Sequence, residues 1–379
     1  MDKQQVRARH IADPVPLGSY PAEDVTFLLK DLSQVKLEQP TEDRERAIQS
    51  GVHYSEMLPV EYKPAKAYLK LYEETLQATA EKVALAAGIT AELIVKKKGT
   101  NLVLVSLARA GTPVGILIKR YLSQIHGIDL PHYSISIIRG KGIDENAIHY
   151  MLEKHPGSQL QFIDGWTGKG AIRQVLIEAC DTFAREHQIH LQDDLAVLAD
   201  PGHCTDIFGT REDFLIPSAC LNSTVSGLMS RTVCRDDLIG PEDFHGAKFY
   251  REWLDEDLSN HFIHAVEAFF GQISAAAKQG ADKLYIEPPV ITWKGLEDIR
   301  SIQTEYGIDD INLIKPGVGE TTRVLLRRVP WKILVDRLDN PHLTHIHLLA
   351  EDRGVPIEVY PGLTYSCCGI IKSIKGETE

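Results

Sequence analysis

No apolar run in the sequence approaches the roughly 18 uninterrupted residues a membrane span needs, so no membrane-spanning helix and no membrane partner are expected. The opening stretch, MDKQQVRARHIADP, lacks the apolar centre of a signal peptide. Cysteine is scarce, with 6 in 379 residues, and neither a CxxC pair nor a Cys/His metal spacing occurs. Together these absences predict a reduced, cytoplasmic protein without a structural metal. A basic excess is missing too. The formal charge of −12 excludes bulk, non-specific nucleic-acid binding, although one domain can still carry a local basic patch. The phosphate-loop pattern GxxxxGK(S/T), the dinucleotide pattern GxGxxG and any repeat of 20–50 residues are likewise absent.

What remains is an ordinary globular composition, 43% apolar and 25% charged, in a chain long enough for two or three domains. Residues 1–60 are proline-bearing with only short apolar pieces, and read as an extension wrapped on a domain. From Lys63 a helical spacing begins and is expected to stop at Gly88. Apolar runs at 101–108, 132–138, 160–164 and 195–200 then alternate with helical patterns, which predicts βαβ units on a parallel sheet over 61–240. Residues 241–280 read as a helical connector. From about 281 to 379 a second α/β unit follows, its strands expected at KLYIEPP, INLIKPG, WKILVD and IEVY.

Chemistry is expected where strands end. The strand LQFID runs into Asp164 and then the loop Thr167-Gly168-Lys169-Gly170, ahead of a helix. Glycines admit close backbone approach, and a helix start offers unpaired N–H groups to an anion. Taken alone, a structural turn and a ligand loop are equally good readings of it. A second strand end carries Arg109, Ala110 and Gly111, and a third carries Arg139 and Lys141 between glycines. In open parallel sheets ligands bind outside the carboxyl ends of strands, so three such loops facing one pocket suit a polyanionic sugar phosphate.

FIDGWTGKGA resembles the phosphoribosyl-diphosphate loop of type I phosphoribosyltransferases, and SLARAGTPVG their pyrophosphate loop, over roughly residues 60–240. Where that family usually carries two adjacent acids, this chain has Ile163-Asp164. The resemblance implies a transferase moving ribose 5-phosphate to an unknown base-like acceptor, with magnesium and phosphoribosyl diphosphate bound. Thr167 to Gly170 would cradle the 5-phosphate, Asp164 the ribose hydroxyls, and Arg109, Ala110 and Gly111 the diphosphate, with Arg139 and Lys141 closing over it. An assembly of identical copies is expected.

The segment from Ile314 to Pro361 resembles the Pelota-type RNA-binding fold. That resemblance implies contact with structured RNA by Gly317, Gly319, Glu320 and Arg323, where a glycine loop opens a helix. The two domains together resemble a protein group of bacterial tellurium-resistance and stress gene clusters, some of whose members are named StiP-type cysteine proteases. Two alternatives therefore stand beside the transferase. One is a cysteine peptidase using Cys204 or Cys220, although His203 and Cys204 are sequence neighbours whose side chains point apart on an extended segment. The other is a non-catalytic RNA-binding regulator with a sugar-phosphate sensor pocket.

Overall fold

A computed structural model describes residues 11–372. The predicted α/β class is what the chain adopts. Six parallel strands form the main sheet, in the spatial order Thr26–Phe27, His132–Ile135, Leu102–Leu107, Gln159–Trp166, Leu195–Ala199, Ile207–Thr210. The two central strands are buried almost throughout, as strands covered on both faces must be. Thr26–Phe27, from the segment read as an extension, pairs in parallel with His132–Ile135 and closes one edge.

The helix that begins at Lys66 does not stop at Gly88 but continues to Lys98, where Gly99 ends it with φ 75° and three lysines complement the carbonyl end. Gly88 serves contact instead. A Cβ there would lie 2.9 Å from both the Ala277 Cβ and the Tyr121 ring, so the glycine lets helix Phe270–Ile286 approach closely. That second helix also absorbs the KLYI residues expected as a strand. Ala277 and Ala281 keep its apolar spacing running against the long helix.

The C-terminal unit has a four-stranded mixed sheet ordered Ile314–Pro316, Cys367–Ile371, Pro330–Val335, Ile357–Val359. Cys367–Ile371 was not anticipated from sequence, and it is antiparallel to both of its neighbours. Helices Lys294–Glu305, Val318–Arg327 and Thr344–Asp352 cover the sheet. Among the described residues, no helix is long and apolar enough to cross a membrane.

One apolar cluster continues from the main domain into the C-terminal unit, joining Phe214, Ile216 and Ala219 to Val318, Leu325, Ile333 and Cys367. Asp213 is the polar centre of this junction. Its buried carboxylate accepts from the Val318 N–H at 2.9 Å and from the Ser366 N–H at 2.9 Å. It thereby caps the start of helix Val318–Arg327 from another domain, satisfying donors that helix starts otherwise leave open.

Burial pushes the Asp213 carboxyl up from its ordinary 3.8 to about 6, against its backbone hydrogen bonds. A carboxyl with a raised folded-state pKa contributes stability that is present below about pH 4 and lost as pH rises through about 6. Thermal melts of the full chain between pH 4 and 7 are therefore expected to carry this downward step, and Asp213→Ala to remove it. The variant should also be less stable overall, by about 1–3 kcal/mol for each orphaned N–H. An unaltered pH slope in Asp213→Ala would mean the carboxyl is not the titrating group.

Candidate functional site

Two βα turns and one hairpin meet at the carboxyl ends of the central strands. The first turn runs from strand Leu102–Leu107 through Ala108-Arg109-Ala110 into helix Gly111–His126. The second leaves strand Gln159–Trp166 through Thr167 to Gly170 and enters helix Ala171–His187. The hairpin pairs Ile137–Ile138 with Gly142–Ile143. Across from them stands the C-terminal unit, and a cavity of about 410 Å³ lies between.

Among the described residues, seven basic side chains and two carboxylates line this cavity. Arg109, Arg139 and Lys169 were expected there. Arg173, Arg231, Lys315 and Arg323 complete the set, Lys315 and Arg323 from the C-terminal unit. Burial and the neighbouring charges of Lys315 and Arg139 pull the Lys169 ammonium down to about 8. Burial pushes the Asp164 carboxyl the other way, to about 7. Charges of one sign crowded in a partly dry space attract anions. The charge of this lining suits an anion.

The expected residues fare unevenly. Asp164 lies within its strand and not beyond it; its Oδ1 accepts from the Gly165 N–H at 2.7 Å while its side chain faces the cavity. Ala110, Gly168 and Gly170 line the wall, and Gly170 takes φ 81°, the left-handed region, at the helix start. The Arg109 guanidinium donates to the Met229 carbonyl at 3.2 Å. Arg139 stands 5.5 Å over the Tyr54 ring.

Four placements differ from expectation. Thr167 is buried and donates to the Asp200 carboxylate at 2.7 Å, so its hydroxyl is committed to the fold. Gly111 serves packing: a Cβ there would lie 2.3 Å from the Ile163 carbonyl. Lys141 turns out of the cavity and donates to the Cys234 carbonyl at 2.7 Å. The loop at Gly168 is not an open cradle, because Tyr365 Oη donates to its carbonyl at 3.1 Å and Lys169 Nζ donates to the Ile311 carbonyl at 2.8 Å. The C-terminal unit grips it.

The residues expected to meet RNA are turned inward as well. Gly317 sits at φ 92° against the Asp213 carboxylate, and Gly319 lies beside Ala219 of the main domain. Arg323 donates to the Ala219 carbonyl at 3.1 Å and to the Glu320 carboxylate at 2.9 Å. Burial opposes ionisation of Glu320, but Arg323 and Lys315 hold its carboxyl below the usual range. Both side chains face the cavity.

Sequence reasoning missed Tyr54, Trp166, Arg173, Arg231 and Lys315. Of these, Trp166 and Arg173 flank the Thr167–Gly170 loop and Lys315 stands two residues before the glycine that opens a helix, so each carried a local signal. Tyr54 and Arg231 reach the cavity through tertiary folding.

The cysteines considered at the sequence level are buried. The Cys204 Sγ lies 3.4 Å from the Gly202 carbonyl, and burial pushes the thiol up to about 12. Its neighbour His203 adopts φ 54° and directs its ring toward Thr292, 3.5 Å from that hydroxyl. The two side chains part, as expected of sequence neighbours. Cys220 lies in the main apolar cluster.

Residues 18–267 match the family model described as tellurite-like stress resistance cysteine protease StiP. Residues 293–373 match the PELOTA RNA binding domain. The protein named cysteine protease StiP of Acinetobacter baylyi is 34% identical over 355 residues, 90% of each chain. The expectation of a phosphoribosyltransferase, with its diphosphate substrate, is overturned by these matches, because both glycine loops lie inside the region the protease family claims. A strand, glycine loop and helix recur in parallel sheets whatever the chemistry, so the two loop resemblances reported architecture and not reaction. A family model spanning 18–267 and a relative aligned along nine-tenths of both chains place this protein in the StiP family, with a Pelota-type domain at its C-terminal end.

Proposed function

We propose that this chain is a thiol-dependent peptidase whose Pelota-type domain binds RNA. The observation that carries the peptidase reading is the alignment, over 90% of both chains, with a relative named as a cysteine protease. All six cysteines are thiols and not disulfides, so a nucleophile is chemically available. Peptide hydrolysis by such a protein splits one difficult step into two through an acyl-thioester.

The RNA reading rests on a separate observation. Glu320 and Arg323, where the Pelota resemblance puts the RNA contacts, face a cavity that also holds Lys315, Lys169 and the aromatic ring of Trp166. Arg323 itself lies 5.8 Å from the centroid of that ring. Cations interleaved with aromatic faces suit single-stranded nucleotides, whose phosphates and bases they engage respectively. The net charge of −12 opposes RNA at long range, so the local lining has to supply the attraction.

Two outcomes are expected. Fluorescein-labelled casein should be hydrolysed by the full chain, with activity lost after iodoacetamide and retained in EDTA. Hydrolysis that survives complete alkylation, or no hydrolysis at all, removes the peptidase reading. Separately, fluorescence anisotropy with a short single-stranded oligoribonucleotide should detect binding that weakens with salt. Lys315→Ala should lower affinity across sequences and reduce the salt slope by about 1, the loss of one phosphate contact. Glu320→Ala should mainly relax base preference. If the full chain binds no RNA at low ionic strength, the C-terminal domain has another task.

A further inference from the structure

Five of the six thiols are buried, and Cys234 alone is partly exposed. Burial pushes Cys180 and Cys204 up to about 12, and Cys367 and Cys368 well above the ordinary thiol range. A peptidase thiol must meet substrate, so accessibility singles out Cys234 among them.

Its setting is specific. Val233 and Gly246 form an antiparallel bridge in which each N–H donates to the other's carbonyl, at 2.7 and 2.8 Å. Carrying this antiparallel register one residue beyond the bridge puts Cys234 and His245 at facing positions, of the non-hydrogen-bonded kind. Such pairs hold their Cα atoms about 4.5 Å apart, with both side chains on one face. The backbone partners agree with this register, because all four polar groups point away from the pair. The Cys234 N–H donates to the Ser55 carbonyl at 3.0 Å, and the Cys234 carbonyl accepts from Lys141 Nζ at 2.7 Å. The His245 N–H donates to Asp144 Oδ2 at 2.6 Å, and the His245 carbonyl accepts from the Lys30 N–H at 2.9 Å. The imidazole Nδ1 is 2.9 Å from the buried Ser136 hydroxyl.

Resting on the peptidase reading above, we propose that Cys234 is the nucleophile and His245 its general base. With Nδ1–H donating to Ser136 Oγ, Nε2 is the nitrogen left to take a proton. The Cys234 Sγ attacks the peptide carbonyl carbon; a C–S bond forms, the carbonyl π bond opens to an oxyanion, and the thiol proton passes to the imidazole. Collapse breaks the C–N bond, and the leaving amine takes that proton. Water then attacks the thioester, giving its proton back through His245 and releasing the acid and the thiol. Atoms and charge balance with water as the only co-reactant.

The resting charge state follows from the surroundings. Burial raises the Cys234 thiol, Lys141 lowers it, and Asp236, Asp144 and Glu56 raise it further. Burial lowers the His245 imidazole, against Asp144 and with Lys141. The pair rests as neutral thiol and neutral imidazole. His245 therefore acts during attack and does not hold a preformed thiolate. Lys141, which the phosphoribosyltransferase resemblance put over a diphosphate, instead donates to the main-chain carbonyl of the nucleophile.

The test uses the full chain, fluorescein-labelled casein and iodoacetamide with peptide mapping. Cys234 should be the first thiol alkylated, with hydrolysis lost in step. Cys234→Ser should reduce hydrolysis to background, and His245→Gln should lower kcat by about 100-fold, the scale of a general base. Both are close in size to the native residues, and unchanged melting curves confirm folding. Ser136→Ala, acting through the ring, should displace the pH profile of kcat while leaving KM in place. Cys180→Ala should hydrolyse as wild type does. If Cys234→Ser retains hydrolysis that iodoacetamide still abolishes, the nucleophile is another thiol and this assignment falls while the peptidase reading stands. If wild-type chain shows no alkylation-sensitive hydrolysis, both fall.

Discussion

The buried carboxylate of Asp213 is the polar centre of the contact between the two halves of the molecule. It reaches from the main domain to the first N–H of helix Val318–Arg327 and to the Ser366 N–H beside strand Cys367–Ile371. A helix start is a place of partial positive charge, and a charge buried there is tolerable only because both oxygens find donors. Around it the apolar cluster runs unbroken from Phe214 and Ala219 into Val318 and Leu325. This contact, the apolar cluster and the hydrogen bonds of Tyr365, Lys169 and Arg323 across the same junction together hold the C-terminal domain in its orientation. The direction in which Glu320 and Arg323 face follows with it.

That orientation builds the cavity. Neither half encloses it alone: Arg109, Arg139 and Arg231 come from one side, Lys315 and Arg323 from the other. The Gly168 loop is held by Tyr365 and its lysine by the Ile311 carbonyl, both from the C-terminal unit. Burial, and after it the cations of Lys315 and Arg139, disfavour the charged Lys169 ammonium, whose pKa is pulled down to about 8. An arrangement with that cost is expected at sites that bind, not at sites that only pack.

Cysteine chemistry in this chain is decided by burial more than by sequence context. Cys204, beside a histidine in sequence, is enclosed by backbone and directed away from His203. Cys234 has no histidine within ten residues, yet the Val233–Gly246 bridge sets His245 opposite to it. Antiparallel pairing joins residues that are distant along the chain at short range, and local motif reading has no access to it.

By itself the sequence determined the layered α/β class, the main strands and the glycine turns, because apolar periodicity and turn chemistry act locally. The Pelota-type fold was legible as an ordered motif. The length of helix Lys66–Lys98 was not, since Gly88 reads as a stop until the helix it packs against is known. Strand Cys367–Ile371 was not either, because its identity comes from two antiparallel partners. The loops at Arg109 and Gly168 were found, but their resemblance pointed to a reaction that the family matches overturn. Only the tertiary structure decided which hydroxyls, lysines and thiols are committed to the fold and which face solvent. It committed Thr167 to Asp200 and Lys141 to the Cys234 carbonyl. The physical reason is that hydrogen bonding and burial depend on neighbours in space, and the chain order alone does not specify them.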